Sequence, residues 1–261
     1  MEEPAELEML NRAGRRAFAG FRLQTLARTA STQDVVREAA RAGASAGYCC
    51  LTASQSAGRG RQGRPWTAPA GTALLASILV RLDQPHAGCI PIAAGLAVRA
   101  AIASSGCDAV LKWPNDVLAK GRKLAGILCE VEPAAPGDGT AVVLGLGVNL
   151  RVPSFPPGVV GVSLHELVAT PPSPARLLAL VLDELAARLP RLSSAGLGAL
   201  RAEWTAHAAG LGQLVTATSG SSRLTGVAEG IDADGALLLR GPAGVVRVLA
   251  GDVHMVGIAP P

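Results

Sequence analysis

The chain has 261 residues and carries 24 Lys and Arg against 20 Asp and Glu, which gives a formal net charge of +4. Its residues are 49% hydrophobic, 17% charged and 3% aromatic, with 31 Gly and 18 Pro. This composition indicates a globular protein with a sizeable core and excludes a disordered, collagenous or disulfide-scaffold chain. The weak net charge and the few aromatic residues also argue against a general nucleic-acid-binding protein.

The five cysteines form no C-x-x-C pair and have no histidine at metal-ligand spacing, so they predict small buried apolar residues in a reducing cytoplasm. Residues 1–16 lack the apolar core of a secretory signal. The longer apolar stretches are too short for a membrane span or contain Arg99. We therefore expect a cytoplasmic protein without a membrane segment. The cysteines are Cys49, Cys50, Cys89, Cys107 and Cys129.

In chain order, residues 1–20 predict a short helix or frayed arm, and the organised chain is expected to begin near Phe21. Ser31 is predicted to cap a helix that ends at Gly43, and further helices are predicted over 90–105, from 174 onward and over 197–209. Hydrophobic runs bounded by turn residues predict seven strands. These lie at 24–27, 48–53, 72–82, 109–112, 117–119, 123–131 and 141–150.

The C-terminal part differs, because short strands at 214–218, 224–229, 236–240 and 245–249 alternate with Gly and Asp turns. This pattern predicts a small β-barrel. We expect an N-terminal arm (1–20), an α+β domain with a mostly antiparallel sheet (21–209) and the barrel (210–261).

The most informative segment is the loop 56–71, which contains GRGRQGRPW at 58–66. Its three arginines supply planar donors for phosphate or carboxylate, and its glycines let main-chain N–H groups approach the same anion. Long loops are uncommon unless functional. The motif alone is weak evidence, because a solvated basic loop or an RNA-binding tail has a similar composition.

Three further motifs lie at the ends of predicted strands. KWPND at 112–116 combines a cation, two polar side chains and a rigid turn, and KLAGIL at 123–128 places Gly126 where a ligand could approach the backbone. GLGVN at 145–149 ends in Asn149, whose amide is suited to an adenine edge. Taken singly, each has a structural interpretation: turn residues that satisfy their own backbone, or a solvated strand-end Lys123.

Taken together and in this order, the four motifs resemble those of the biotin protein ligase family. The resemblance spans roughly residues 21–258, and Ser31, Thr32 and Gln55 match biotin-contacting positions upstream of the loop. Gln33 departs from the family, in which Asn is common at this position, although an amide is retained.

The resemblance implies a catalytic domain similar to class II aminoacyl-tRNA synthetases and a small SH3-like C-terminal domain. It implies an enzyme whose substrates are biotin and ATP, with Mg²⁺ on the ATP phosphates and no fixed metal site in the protein. Biotin carboxylate attacks the α-phosphorus to give biotinyl-5′-AMP and pyrophosphate, and a lysine of a biotin carboxyl carrier domain then displaces AMP. The loop is expected to fold over the adenylate and exclude water.

The resemblance also assigns residues to three overlapping roles. The catalytic residues are Lys123, Arg59, Arg61 and Asp116, with Asp116 as the candidate for orienting the acceptor lysine. The biotin-binding residues are Ser31, Thr32, Gln33, Gln55, Gly58, Arg59, Gly60, Arg61, Lys123 and Gly126. The ATP- or adenylate-binding residues are Arg61, Arg64, Trp66, Lys112, Asn115, Lys123 and Asn149.

Three alternatives are weighed against this interpretation. A lipoate–protein ligase is disfavoured because its Arg-Arg signature followed by Gly-Gly is absent. A biotin-responsive DNA-binding repressor is disfavoured because only about 20 residues precede the core, below an independently folding size, so specific DNA binding is not expected. A phosphate- or RNA-binding module is disfavoured because the basic residues are concentrated in one loop. We expect a monomer or a weak homodimer.

Overall fold

The computed structural model describes residues 4–82, 86–133, 140–219 and 222–255. Residues 1–3 of the predicted arm and 256–261 of the predicted barrel lie outside the described residues. The helices are α1 (Pro4–Ala17), α2 (Thr32–Arg41), α3 (Ile90–Ala103), α4 (Pro174–Ala195) and α5 (Gly198–His207). The strands of the larger sheet are β1 (Arg22–Leu26), β2 (Tyr48–Thr52), β3 (Ala73–Leu82), β4 (Val110–Lys112), β5 (Asp116–Ala119), β6 (Arg122–Glu132) and β7 (Thr140–Asn149). Those of the smaller sheet are β8 (Leu214–Ser219), β9 (Ser222–Ile231), β10 (Leu237–Gly241), β11 (Gly244–Val248) and β12 (Asp252–Met255).

The larger sheet has the order β1-β2-β3-β7-β6-β5-β4. Its neighbouring strands run antiparallel except β1 and β2, which confirms the prediction of a mostly antiparallel sheet. All ten residues of β7 are buried because helices cover both faces of the central strands. The motifs lie at strand ends that face one common region next to this buried core.

The N-terminal segment forms a helix rather than a frayed arm. Leu10 and Ala13 are fully buried where α1 packs against α4. Arg16 Nε donates a hydrogen bond of 2.8 Å to Asp183 Oδ1 of α4. The first helix is thus packed onto the larger domain.

The segment His86–Ala103 is long and apolar enough to cross a membrane by length and composition alone. In the fold it is 67% buried, and α3 packs against α4 and β6. Arg99 turns its guanidinium to the carbonyl of Ala109 at 3.0 Å. We interpret the segment as a core helix.

The smaller sheet is antiparallel, with the order β11-β10-β9-β8-β12. Four of its strands overlap predicted ones, whereas β12 escaped prediction because its four residues form no apolar run. The turn before β10 contacts the larger domain, where Trp113 Nε1 donates a hydrogen bond of 2.9 Å to the Gly235 carbonyl. This contact fixes the smaller sheet beside the KWPND turn.

Four of the five cysteines are buried, as predicted, and Cys129 is half-buried. Burial raises the pKa of both Cys50 and Cys89 to about 11. These two thiols are therefore protonated and weakly reactive at neutral pH.

Candidate active site

A cavity of about 930 Å³ lies between the larger and the smaller sheet. All four motifs contribute to its walls. Of the residues predicted to bind or act on a ligand, Gly58 alone does not line it. The others line it: Ser31, Thr32, Gln33, Gln55, Arg59, Gly60, Arg61, Arg64, Trp66, Lys112, Asn115, Asp116, Lys123, Gly126 and Asn149.

The GRGRQGRPW segment folds as a tight hairpin. Trp66 N donates to the Gly58 carbonyl at 2.9 Å, and Gly60 N donates to the Arg64 carbonyl at 2.7 Å. A Cβ atom at Gly58 would lie 2.4 Å from the Trp66 carbonyl oxygen, so only glycine fits there. Gly58 thus allows the close backbone approach within the hairpin, and the residues next to it line the cavity.

Helix α2 begins at the cavity with a buried polar cluster, which we call the seat (Ser31, Thr32, Gln33). Gln55 Oε1 accepts a hydrogen bond of 2.8 Å from Thr32 N, and Thr32 Oγ1 lies 2.8 Å from Ser77 Oγ. Ser31 stands at the N-cap position of α2, as predicted, but its side chain makes no capping bond. Its buried hydroxyl has no hydrogen-bond partner in the described part of the chain.

Gln33 turns its amide toward β6 and β7. Its Nε2 donates to Glu130 Oε2 at 2.9 Å and to the Val143 carbonyl at 3.4 Å. Its Oε1 is buried and, within the described residues, has no hydrogen-bond partner. The seat therefore holds two buried oxygens, one from Ser31 and one from Gln33, that the described residues leave free to bond with another polar group.

Arg59 stands at the start of the hairpin and is ion-paired on both arms. Its Nη1 lies 2.6 Å from Asp34 Oδ1 and its Nη2 lies 3.3 Å from Glu130 Oε2. The positive charge of Arg59 is thus compensated at the cavity wall.

Arg61 and Arg64 link the tip of the hairpin to two other parts of the molecule. Arg61 Nη1 donates to Asn115 Oδ1 at 3.1 Å and to the Gly251 carbonyl at 3.4 Å. Arg64 pairs with Asp252 at the start of β12. The tip is therefore held by the KWPND turn and by the smaller sheet.

Lys123 lies at the start of β6 and faces the cavity. Its Nζ lies 2.6 Å from Asp116 Oδ1 and 5.7 Å from the centre of the Trp66 ring. Its backbone N donates to the Val160 carbonyl at 2.9 Å. The ammonium group is thus anchored by a carboxylate, an aromatic face and its own backbone.

Two glycines of the motifs make room for the Trp66 indole. A Cβ atom at Gly126 would lie 2.9 Å from Trp66 Cζ3, and one at Gly147 would lie 2.5 Å from Cε2. Sequence analysis assigned the open backbone at Gly126 to a ligand, whereas in the structure the indole occupies this space. Trp66 is thus held flat against β6 and β7 at the cavity wall.

Asn149, at the end of β7, is almost fully buried. Its Nδ2 donates to the carbonyls of Lys123 and Val162, each at 3.3 Å. It thereby ties the segment 151–163, which we call the strap, to the start of β6. The strap lines the cavity with Phe155, Pro156, Pro157, Gly158, Val159 and Val160.

Lys112, in β4, also lines the cavity. No ion pair to it is found among the residues that the structure describes. In the same ranges, no group of three or more His, Cys, Asp and Glu is arranged to hold a metal ion.

Sequence analysis missed two walls of the cavity. The strap carries no hydrophobic periodicity, and the residues from the smaller sheet are scattered over separate strands. Neither pattern gives a local signal. The smaller sheet and the linker before it contribute Gly210, Leu211, Val215, Ala228, Leu237, Asp252, Val253 and His254.

Comparison with known proteins identifies the family. Residues 25–149 match the biotin/lipoate A/B protein ligase family, and residues 210–256 match the biotin protein ligase C-terminal domain. The biotin–[acetyl-CoA-carboxylase] ligase of Paracoccus denitrificans is 37% identical over 89% of this chain and 100% of its own length. The chain belongs to the biotin protein ligase family. The corresponding ligase of Mycobacterium tuberculosis is also 37% identical, over 91% of this chain and 90% of its own length.

A solved structure supports the same biotin ligase fold. The biotin protein ligase of Aquifex aeolicus in complex with biotin and ATP superposes with a TM-score of 0.77 at 24% identity. The match covers 89% of this chain and 98% of that one. The bifunctional ligase/repressor BirA of Escherichia coli is 32% identical, over 80% of this chain and 66% of the relative. This biotin ligase is therefore an enzyme, and the family match favours ligation over the other interpretations.

Proposed function

We propose that the cavity is where biotin and ATP react and where biotinyl-5′-AMP is retained until a carrier lysine arrives. As a biotin protein ligase, the chain adenylates biotin and transfers the biotinyl group to a carrier protein. One observation carries the assignment to this cavity: four motifs spread over residues 58–149 converge on its walls.

The seat is proposed to bind the ureido ring of biotin. A ureido group offers two N–H donors and one carbonyl acceptor. The buried oxygens of Ser31 and Gln33 have no partner among the described residues, and the Ser31 hydroxyl can also donate. Biotin would satisfy both and leave its carboxylate directed toward the loop.

Lys123 and Arg61 are proposed to stabilise the first step. Two anions must approach when the biotin carboxylate attacks the α-phosphorus, and cations placed there lower the barrier. Mg²⁺ would enter on the ATP phosphates and supply further neutralising charge. Lys112 is available for the phosphates, because it has no ion pair among the described residues.

Asn149 is proposed to recognise adenine through Oδ1. Its Nδ2 is engaged by the carbonyls of Lys123 and Val162, and within the described residues no group donates a hydrogen bond to the amide oxygen. An acceptor at this position suits the exocyclic amine of adenine and disfavours the carbonyl of guanine.

In the second step a lysine amine attacks the carbonyl carbon of the mixed anhydride; a C–N bond forms and the C–O bond to AMP breaks. Lysine has an ordinary pKa near ~10.4, so the attacking ammonium must first lose a proton. Asp116 is proposed to orient that group. Its carboxylate lies at the cavity wall beside Lys123.

We further propose a class II synthetase-like catalytic domain and an SH3-like barrel for the smaller sheet. The five short, consecutive antiparallel strands of the smaller sheet support this assignment. The carrier is proposed to be the biotin carboxyl carrier domain of a biotin-dependent carboxylase, the enzyme to be cytoplasmic, and its state a monomer or weak homodimer.

The direct test is incubation with biotin, MgATP and an apo carrier domain, followed by mass spectrometry of the carrier. A biotinyl mass increment is expected, and it should disappear without ATP or when the acceptor lysine is replaced by arginine. A lipoyl increment in a parallel lipoate reaction, without a biotinyl one, would overturn the proposal.

A further inference from the structure

Two acidic residues outside the four motifs hold the base of the loop hairpin. Asp34 belongs to α2, and Glu130 lies in β6 beyond the KLAGIL motif. Both contact the Arg59 guanidinium, through Nη1 at 2.6 Å and Nη2 at 3.3 Å. The three side chains are about one-third exposed, at 37% for Asp34, 31% for Glu130 and 33% for Arg59. Water therefore screens these two ion pairs only partly.

Glu130 joins the loop to the seat through a single oxygen. Its Oε2 accepts hydrogen bonds from Gln33 Nε2 at 2.9 Å and from Arg37 Nη2 at 2.7 Å, in addition to the one from Arg59. Gln33 is a seat residue, and Arg59 begins the hairpin. One carboxylate thus contacts both the proposed biotin site and the loop.

Arg37 completes a mixed-charge cluster around these groups. It bonds Asp34 Oδ1 at 2.8 Å, Glu130 Oε2 at 2.7 Å and Glu132 Oε1 at 2.6 Å. The acids that hold Arg59 are thus themselves compensated by a second guanidinium, so the cluster does not depend on a bound ligand for neutrality.

We propose that Asp34 and Glu130 are positioning residues that hold the loop closed through Arg59, and that Glu130 couples the loop to the seat. This inference rests on the proposed function of the cavity. It gives Arg59 the task of anchoring the loop, because Nη1 and Nη2 both pair with carboxylates, while the buried Nε has no hydrogen-bond partner among the described residues. Loss of the anchor should let the adenylate escape more rapidly without removing the groups that form it.

The test compares Glu130→Gln with the matched control Glu132→Gln. Glu132 lies two residues farther along β6 and bonds Arg37 and Arg41; within the described part of the chain it bonds neither Arg59 nor Gln33. Both variants remove one carboxylate from the same cluster. Glu130→Gln should accelerate release of biotinyl-5′-AMP roughly 5- to 20-fold, as expected for a partly exposed charge-assisted contact. Glu132→Gln should release it at the wild-type rate.

Two further readouts separate positioning from general destabilisation. Pyrophosphate formation at saturating biotin and ATP should stay within about threefold of wild type in Glu130→Gln, since chemistry-bearing groups are retained. Trypsin cleavage after Arg61 in the adenylate complex should increase in Glu130→Gln and not in Glu132→Gln. In an Arg59→Gln background, Glu130→Gln should have no additional effect on release, because the contact is already lost.

Equal release rates in Glu130→Gln and wild type, or equal increases in both variants, would overturn the inference. If Glu130→Gln does not fold, Asp34→Asn removes the other carboxylate that contacts Arg59. An unchanged rate of adenylate release in that variant would also overturn the inference. If the wild-type enzyme forms no adenylate from biotin and ATP, the proposed function fails instead.

Discussion

At the scale of single residues, three cations at the cavity have different partners and therefore different tasks. Arg59 is paired to carboxylates at the base of the loop, Arg61 to a side-chain amide and a carbonyl, and Lys123 to Asp116. Sequence analysis placed all three in one catalytic set. From these contacts we infer three roles: Arg59 anchors the loop, Arg61 latches it, and Lys123, paired with Asp116, places a cation at the cavity wall.

Lys123→Ala should reduce adenylate formation more than about 100-fold, because it removes a cation directed into the cavity where negative charge accumulates. The fold should persist, since the side chain is one-third exposed. Pyrophosphate release with biotin and ATP measures the loss. Lys120→Ala, at the exposed turn between β5 and β6, is the control. Activity of Lys123→Ala within tenfold of wild type would contradict this role.

Arg61→Gly should give a leaky enzyme. Losing the contacts to Asn115 and Gly251 should weaken closure by about 1.5–3 kcal/mol, equivalent to roughly 10- to 150-fold in adenylate retention. Lys123 still supports the first step, so reactive adenylate should escape and label bystander lysines. Albumin added to the assay reports this, and Arg12→Ala on the surface of α1 is the control. Retention as tight as in wild type would argue against the latch.

At the scale of elements, the sequence predicts the strands and the motif residues well but not the strap. Alternating and continuous apolar runs define β3, β6 and β7, whose ends lie within two residues of the predicted ones. The sequence around Phe155 lacks such a pattern, and the tertiary fold alone brings this residue to the cavity. Even Ser31, whose position at the start of α2 is correctly predicted, has its hydroxyl directed elsewhere by tertiary packing.

The strap is fastened by a capping box. Ser163 N donates to Glu166 Oε1 at 2.8 Å, and this hydrogen bond, with help from Arg122, holds the pKa of Glu166 below its ordinary value of 4.5. The folded state therefore favours the ionised carboxylate. Its contribution to stability is present above pH 4.5 and is lost as the pH falls through the lowered folded-state pKa.

Glu166→Gln should accordingly lower the Tm at pH 7, and the difference from wild type should shrink as the pH is taken from about 5 to about 3. Thermal unfolding followed by circular dichroism measures both variants over this range. Glu8→Gln, a highly exposed acid on α1, should show no comparable pH-dependent difference. A Tm difference that is constant with pH would exclude ionisation of Glu166 as the cause.

At the scale of the whole molecule, the two sheets enclose the cavity because the smaller sheet is fixed to the KWPND turn. Trp113 is 5% exposed, and its indole N–H, the only hydrogen-bond donor of the side chain, donates to the Gly235 carbonyl. The same turn presents Asn115 to Arg61. A change at the contact between the sheets should therefore also alter the contact between Asn115 and Arg61 of the loop.

Trp113→Phe keeps most of the packing but removes the donor. Loss of this bond should make local opening of the smaller sheet easier by about 1–2 kcal/mol. Hydrogen exchange by mass spectrometry should show faster exchange in β10, with α1 unchanged as the internal control. Adenylate release should also accelerate. Uniformly faster exchange across the chain would indicate global destabilisation and would contradict a local latch.

The residues of the cavity wall are synthesised at different times. Ser31 and Gln33 are synthesised early, whereas Asp252, Val253 and His254 emerge from the ribosome more than two hundred residues later. A nascent or prematurely terminated chain that lacks β12 would present the motifs in an incomplete enclosure. A chain that lacks β12 is therefore expected to retain the adenylate less well than a chain that contains it, and to expose it to nearby amines.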